Sequence, residues 1–336
     1  MRLTDLRHLD LTNNRLIALP DTLGNLTALE RLFLDHNHLI ALPDSLGELT
    51  SLRELHVILN KLDVLPESIG KLTALRALHA MHNRLTALPE SLWQLPALKL
   101  LNVGNNPLRA VPEDIGGLST LTDLYIHSSE LTVLPDSLGK LRRLRTLDIG
   151  HNAIDALPES LGDLTQLTFF LYISNNRLTV IPDGLFERLT TLRYLNLTHN
   201  QLTALPESLG ALGSLIELRL YNNYLSKLPD SIGSLTNLLE LHLMDNSLTQ
   251  LPDSIGGLPK LRLLDLRNNR LSGLPDSISQ LHSLTHLDLR NNRLLSLPDS
   301  LAALPALKKL DLRWNKLRTN PAWLDQLEDR GCVVFR

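Results

Sequence analysis

The sequence predicts an α/β solenoid of horseshoe form, with a parallel β-sheet on the concave face and short helical or 3-10 turns on the convex face. Three observations lead there. A 23-residue period, LxxLxxLxLxxNxLxxLPxSLGx, starts at Leu3, recurs at Leu26, Leu49, Leu72, Leu95, Leu118 and Leu141, and runs through fourteen copies to residue 317. Within each copy apolar and polar residues alternate, as in Leu9-Asp10-Leu11, with the period of two of a strand that buries one face. Only 4% of the 336 residues are aromatic, so the core is one small leucine unit used many times rather than a large globular interior.

The strand comes first in each repeat. Three or four leucines cannot be buried by a lone strand, so successive repeats stack at roughly 4.8 Å and share a continuous core. After the strand an asparagine recurs at 14, 37, 60, 83, 106, 152, 176, 200, 223, 246, 269, 292 and 315, thirteen of fourteen repeats. An amide at the inner side of a turn satisfies unpaired backbone groups, so these asparagines read as a structural ladder. The second half opens with Leu-Pro or a close variant, then an acid in all thirteen cases from Asp21 to Asp299, usually followed by serine. Proline fits the start of a helical turn and an acid favours the positive end of its dipole, so the carboxylates read as caps and not as a calcium site.

Two irregularities interrupt the array. Leu164-Thr165-Gln166-Leu167-Thr168-Phe169-Phe170-Leu171-Tyr172-Ile173 has one residue too many before the strand, which predicts a bulge that gathers Phe169, Phe170 and Tyr172. The same repeat ends on a longer turn, Ile181-Pro182-Asp183-Gly184-Leu185-Phe186-Glu187-Arg188. In the sixth repeat Ser129 stands where the ladder asparagine belongs and cannot make its full set of hydrogen bonds, which predicts a locally looser point. Residues 318–336 form a C-terminal cap: an amphipathic helix around Pro321-Ala322-Trp323-Leu324-Asp325-Gln326-Leu327, then the short apolar strand Gly331-Cys332-Val333-Val334-Phe335. The other end enters directly on a repeat without a polar cap for Leu3, Leu6, Leu9 and Leu11. A fragment, a fraying first repeat or a docked one would each account for that.

Leu6-Arg7-His8-Leu9-Asp10-Leu11-Thr12-Asn13-Asn14-Arg15-Leu16 resembles the segment that defines leucine-rich repeats, and similar segments cover nearly the whole chain. Leu19-Pro20-Asp21-Thr22-Leu23-Gly24 is similar to the Ras-group and bacterial cytoplasmic subclass, as is Trp323-Leu324 followed by Gly331-Cys332-Val333-Val334. The longer turn at 181–188 is more similar to extracellular members. The resemblance implies the solenoid fold and partner binding. Ras-group members engage small GTPases or phosphatase subunits, but no residue-level motif carries such a partner over to this chain.

Composition narrows the function. The 33 basic side chains are spread along the chain and balanced by 36 acidic ones, for a net charge of -3. This gives no footprint for nucleic acid or an anionic membrane. The single cysteine, Cys332, builds neither a disulfide framework nor a cysteine zinc site and suits a reducing compartment. Met1-Arg2-Leu3-Thr4-Asp5-Leu6 has no uninterrupted apolar stretch, and no run is long enough to span a bilayer. The expectation is a soluble, cytoplasmic chain. No phosphate loop, His-Glu-x-x-His or nucleophile elbow occurs, so no enzyme, cofactor or small-molecule substrate is expected.

The variable positions of the sheet face therefore carry the expected function, which is binding a protein. All five tyrosines and eleven of the twelve histidines fall in the strand-and-turn half, with His282 the exception. Aromatic, methionine and arginine side chains are enriched where proteins meet proteins. In the N-terminal third Phe33, Ile58, Leu59 and Met81 make one apolar patch beside His56 and His79. Tyr125, His127, Tyr172, Tyr194, Tyr221, His242 and Met244 extend the candidate surface. His56, His79 and His82 invite a zinc reading, but no nearby cysteine or clear third carboxylate supports it, and no metal is expected. Protonation of this cluster is expected to weaken partner binding between about pH 7 and 5.5. In the last three repeats Asp265, Asp288 and Asp311 with Arg267, Arg290 and Arg313 read as an acid-base lattice of cross-strand pairs that keeps the face soluble, a default surface. Three hypotheses follow: a non-enzymatic interaction scaffold, the recognition arm of a larger signalling enzyme of kinase or GTPase type, and a bacterial effector that targets a host protein.

Overall fold

A computed structural model describes residues 3–336, without the side chain of Leu3; the N-terminal reading that used Met1 and Arg2 lies in part outside the described residues. The chain divides into two compact units, Met1–Ile154 and Asp155–Arg336. In the first unit the strands are β1 (His8–Asp10), β2 (Arg31–Phe33), β3 (Glu54–His56), β4 (Ala77–His79), β5 (Leu100–Asn102), β6 (Asp123–Tyr125) and β7 (Thr146–Asp148). In the second they are β8 (Phe170–Tyr172), β9 (Tyr194–Asn196), β10 (Glu217–Arg219), β11 (Glu240–His242), β12 (Leu263–Asp265), β13 (His286–Asp288), β14 (Lys309–Asp311) and β15 (Val333–Phe335). Within each unit every strand pairs in parallel with the next, and equivalent residues are in register, as in Leu32↔Leu55 and Leu218↔Leu241. The repeat thus becomes a solenoid with its parallel sheet on the concave face and 3-10 turns on the convex face.

The core is a stack of leucines. Leu29, Leu32, Leu34 and Leu39 are fully buried, and their equivalents in the following interior repeats are buried too. In the first repeat Leu6, Leu9, Leu11 and Leu16 are only half-buried. The asparagine ladder forms as expected. Asn37 donates from Nδ2 to the carbonyls of Leu11 (2.9 Å) and Leu34 (3.0 Å) and accepts at Oδ1 from the Leu16 N–H (3.0 Å), tying two repeats together. At Ser129 the ladder is rewired. The Leu108 N–H turns to the Asn106 carbonyl, and Arg109 and Glu130 take up positive φ values of 60° and 58°.

The convex turns correct one detail of the capping scheme. Proline sits at the N-cap in extended conformation, φ −74° at Pro20, and the acid occupies the first position of the 3-10 turn. No side-chain hydrogen bond caps that turn at its own start. Instead Glu67, Glu113 and Glu207 reach across to the next repeat. Glu207 accepts from the N–H groups of Asp230 (3.3 Å) and Ser231 (2.9 Å), which start the following turn. Glycine follows from close stacking: a Cβ on Gly47 would lie 2.6 Å from the Ser68 carbonyl oxygen. Trp93 replaces that glycine in its own repeat, and Gly117 closes on its backbone: a Cβ there would lie 2.6 Å from the Trp93 carbonyl oxygen.

Where a bulge was expected, the chain bends. The additional residue turns the chain at 169, ahead of β8, and β8 pairs with β9 in plain register, Phe170↔Tyr194 and Leu171↔Leu195. A residue placed before β8 leaves its pairing with β9 intact. The longer turn at 183–188 has no 3-10 helix and buries Phe186 completely. The cap forms α1 (Trp323–Asp329), which buries Trp323, Leu324 and Leu327, and β15 pairs with β14. No helix among the described residues is long and apolar enough to cross a membrane.

Candidate functional site

Because interior leucines point into the core, the sheet face displays the first and third residues of each strand and the turn residues beyond them. In the first unit register brings Phe33, His56 and His79 into one row. Phe33 packs tilted against His56, with centroids 4.6 Å apart, and His56 stacks on His79 at 4.3 Å. Asp35 anchors this row. Its Oδ1 accepts from the Ile58 N–H at 2.7 Å, and its Oδ2 lies 3.7 Å from His56 Nδ1. Burial and the neighbouring His56 charge push the His79 pKa below its ordinary value, against the opposing pull of Asp35 and Glu54. Stacked face to face, His56 and His79 do not converge as metal ligands would.

Ile58 and Met81 are half-exposed on the same face, and Asn102 approaches Met81 Sδ at 3.5 Å. Leu59 is 41% exposed and holds φ at +54°, a left-handed conformation that is strained for a bulky residue. Further along this unit Tyr125 is half-buried, and the His127 ring lies over Gly104, where a Cβ would meet Nε2 at 2.6 Å.

In the second unit Phe170 stacks on Tyr172 (5.2 Å) and packs against Tyr194 (5.3 Å), with Phe169 at 6.3 Å. Tyr221 meets His199 edge to face at 5.3 Å. Met244 is held by Arg267, whose guanidinium approaches Sδ at 2.9 Å. His242 lies 3.1 Å from Glu240 and 3.8 Å from Glu217, and these three present ligand atoms within 4.8 Å of one another. The sequence reading missed this group because it weighed histidines by their own column. The signal was present in two glutamates 23 positions apart and a histidine two residues beyond the second.

Two expectations change. The acid-base lattice forms the expected cross-strand pairs, Arg267–Asp288 and Arg290–Asp311, but buries its last carboxylate. Arg290 bridges Asp288 (2.7 Å) and Asp311 (3.4 Å), Arg313 binds Asp311 at 2.6 Å, and Asp311 is fully buried. Burial raises the Asp311 pKa, but hydrogen bonds from Arg313 and the Arg290 charge outweigh it and hold the group below the usual range. Part of the histidine enrichment is also a backbone effect. His36, His82, His151 and His199 occupy the positive-φ position just before the ladder residue, where most other repeats carry Asn, Asp or Ser. Asn, Asp and His are the residues enriched in that region.

The Leucine rich repeat profile matches residues 119–171, 170–225, 213–271 and 259–317, and the Leucine-rich repeat region profile matches 1–82. The chain belongs to the leucine-rich repeat family. This leucine-rich repeat chain is 36% identical to a solved leucine-rich repeat protein of Leptospira interrogans, covering 99% of this chain and 84% of that one, with a TM-score of 0.91. It is 31% identical to the plant peptide hormone receptor RGFR1, solved in complex with RGF2, covering 94% of this chain and 52% of the receptor with a TM-score of 0.81. The Drosophila Toll–Spatzle complex is similar at 27% identity, with 94% and 45% coverage and a TM-score of 0.82. Among curated proteins none matches this chain significantly.

Proposed function

We propose that this leucine-rich repeat protein is a non-enzymatic interaction scaffold that binds a protein partner on its concave sheet face, in a reducing, cytoplasmic setting. The observation that carries the reading is Leu59, an apolar side chain 41% exposed beside the row of Phe33, His56 and His79 rings. The left-handed backbone recurs just before the ladder residue in every repeat, so what points to a use outside the fold is the bulky apolar side chain placed there, exposed beside a row of rings. Ile58 and Met81 complete the patch. The buried lone thiol of Cys332 supports the compartment. Peptide or protein ligands in the RGFR1 and Toll complexes support a protein as the partner class. Nucleic acid, membranes and small-molecule substrates stand outside this proposal.

The test compares wild type with the triple variant Phe33→Ala, Ile58→Ser, Met81→Ala in capture from native cell extract, after both are shown to melt alike. A partner retained by wild type and lost by the variant supports the patch. Equal retention overturns it.

A further inference from the structure

The second unit carries a feature that partner binding does not require. Glu217 and Glu240 stand directly opposite one another on β10 and β11, and His242 follows on the same face of β11. Like charges directly opposed across a ladder are destabilising unless something neutralises them. Arg219 engages Glu217, but among the described residues Glu240 is paired with His242 and with no arginine or lysine. On the next strand the Asp265 carboxylate is already occupied by Arg267. The His242 and Glu217 side chains are largely buried, and that of Glu240 is 45% exposed.

We infer that Glu217, Glu240 and His242 form a binding site for a divalent transition-metal ion of the zinc class. Metal–ligand distances of about 2.1 Å place neighbouring ligands about 3.4 Å apart in tetrahedral geometry. The separations here, 3.1 Å and 3.8 Å from His242 Nε2 to the two carboxylates, bracket that edge. Two carboxylates would neutralise the dication and also select against anions. The imidazole shifts preference from Mg²⁺ and Ca²⁺, which favour all-oxygen shells, towards Zn²⁺ and its neighbours. Three protein ligands leave a coordination position open on the sheet face, where water or an acidic or histidine side chain of a bound protein completes the shell. Arg219 is the built-in competitor: its guanidinium must leave Glu217 before an ion takes that oxygen. The site is independent of the Leu59 patch in the first unit.

The test strips the full chain with chelator and titrates it with ZnCl₂ by calorimetry, with Co²⁺ absorption as a report on imidazole ligation. Saturable binding of one ion per chain is expected, weakened at least about tenfold by Glu240→Gln or His242→Gln. Arg219→Gln should tighten binding several-fold, because it frees the Glu217 carboxylate, whereas loss of binding in His242→Gln is what separates the site from an adventitious surface ion. The double variant His56→Gln, His79→Gln should bind as wild type does. Melting of each metal-free variant guards against misfolding. No saturable Zn²⁺ binding by wild type, or binding unchanged in His242→Gln, overturns the site.

Discussion

At the residue scale the ladder asparagines outweigh any other polar group. Asn200 is buried, donates to the carbonyls of Ile173 (3.0 Å), Leu197 (3.1 Å) and Thr198 (3.3 Å), and accepts from the Leu178 N–H (3.1 Å). Removing the amide leaves several buried backbone groups unpaired, so Asn200→Ala is expected to destabilise the chain by about 2–3 kcal/mol in denaturant melts. His79 adds a pH dependence. Its pKa is lowered in the folded chain, first by burial and then by His56, so the unfolded chain binds the proton more readily. Its contribution is present above the ordinary value of 6.5 and is lost as the pH falls towards the lowered folded value. Wild type should therefore lose melting temperature between pH 7 and 5.5, and His79→Gln should lose less. An identical loss in both would remove His79 as the cause.

At the scale of the element, each convex turn is fixed by its neighbour as much as by its own residues. Glycine lets one turn approach the serine of the next, and Gly47→Ala forces a Cβ against the Ser68 carbonyl oxygen at 2.6 Å. The expected cost is about 1–3 kcal/mol, read from thermal or urea melts. At Gly273, where nothing lies within 4 Å of an added Cβ, alanine should change stability little. The carboxylate of Glu207 acts in the same way. N–H groups of the following turn, Ser231 first, hold its pKa below the ordinary value. The acid thus caps its neighbour's turn and not its own.

At the scale of the whole molecule, each repeat is stabilised chiefly by the repeats on either side, so damage should spread only locally. The cap offers the test. Trp323 is buried and donates from Nε1 to Asp299 at 3.0 Å. Trp323→Ala should remove about 3–5 kcal/mol of local stability. Hydrogen exchange should speed up in β14 and β15 while the amides of β9 and β10 keep their protection. Uniform loss across the chain would show global rather than neighbour coupling.

The fold was legible because 23-residue spacing and period-two alternation leave leucines such as Leu32 and Leu55 one burial solution, stacking in register. The ladder at Asn37, the interruption at Ser129 and the cap around Trp323 follow from local chemistry, so the sequence determined them by itself. The candidate surface was legible in part, since Phe33, His56 and His79 share a column, but their stacking and the anchoring Asp35 depend on side-chain packing between strands. The bend at 169 and the burial of Asp311 were decided only by tertiary structure. So was the meeting of Glu217, Glu240 and His242. Each depends on which atoms adjacent repeats bring within a few ångströms. A one-dimensional period gives the column of a residue but neither its rotamer nor the charge that faces it.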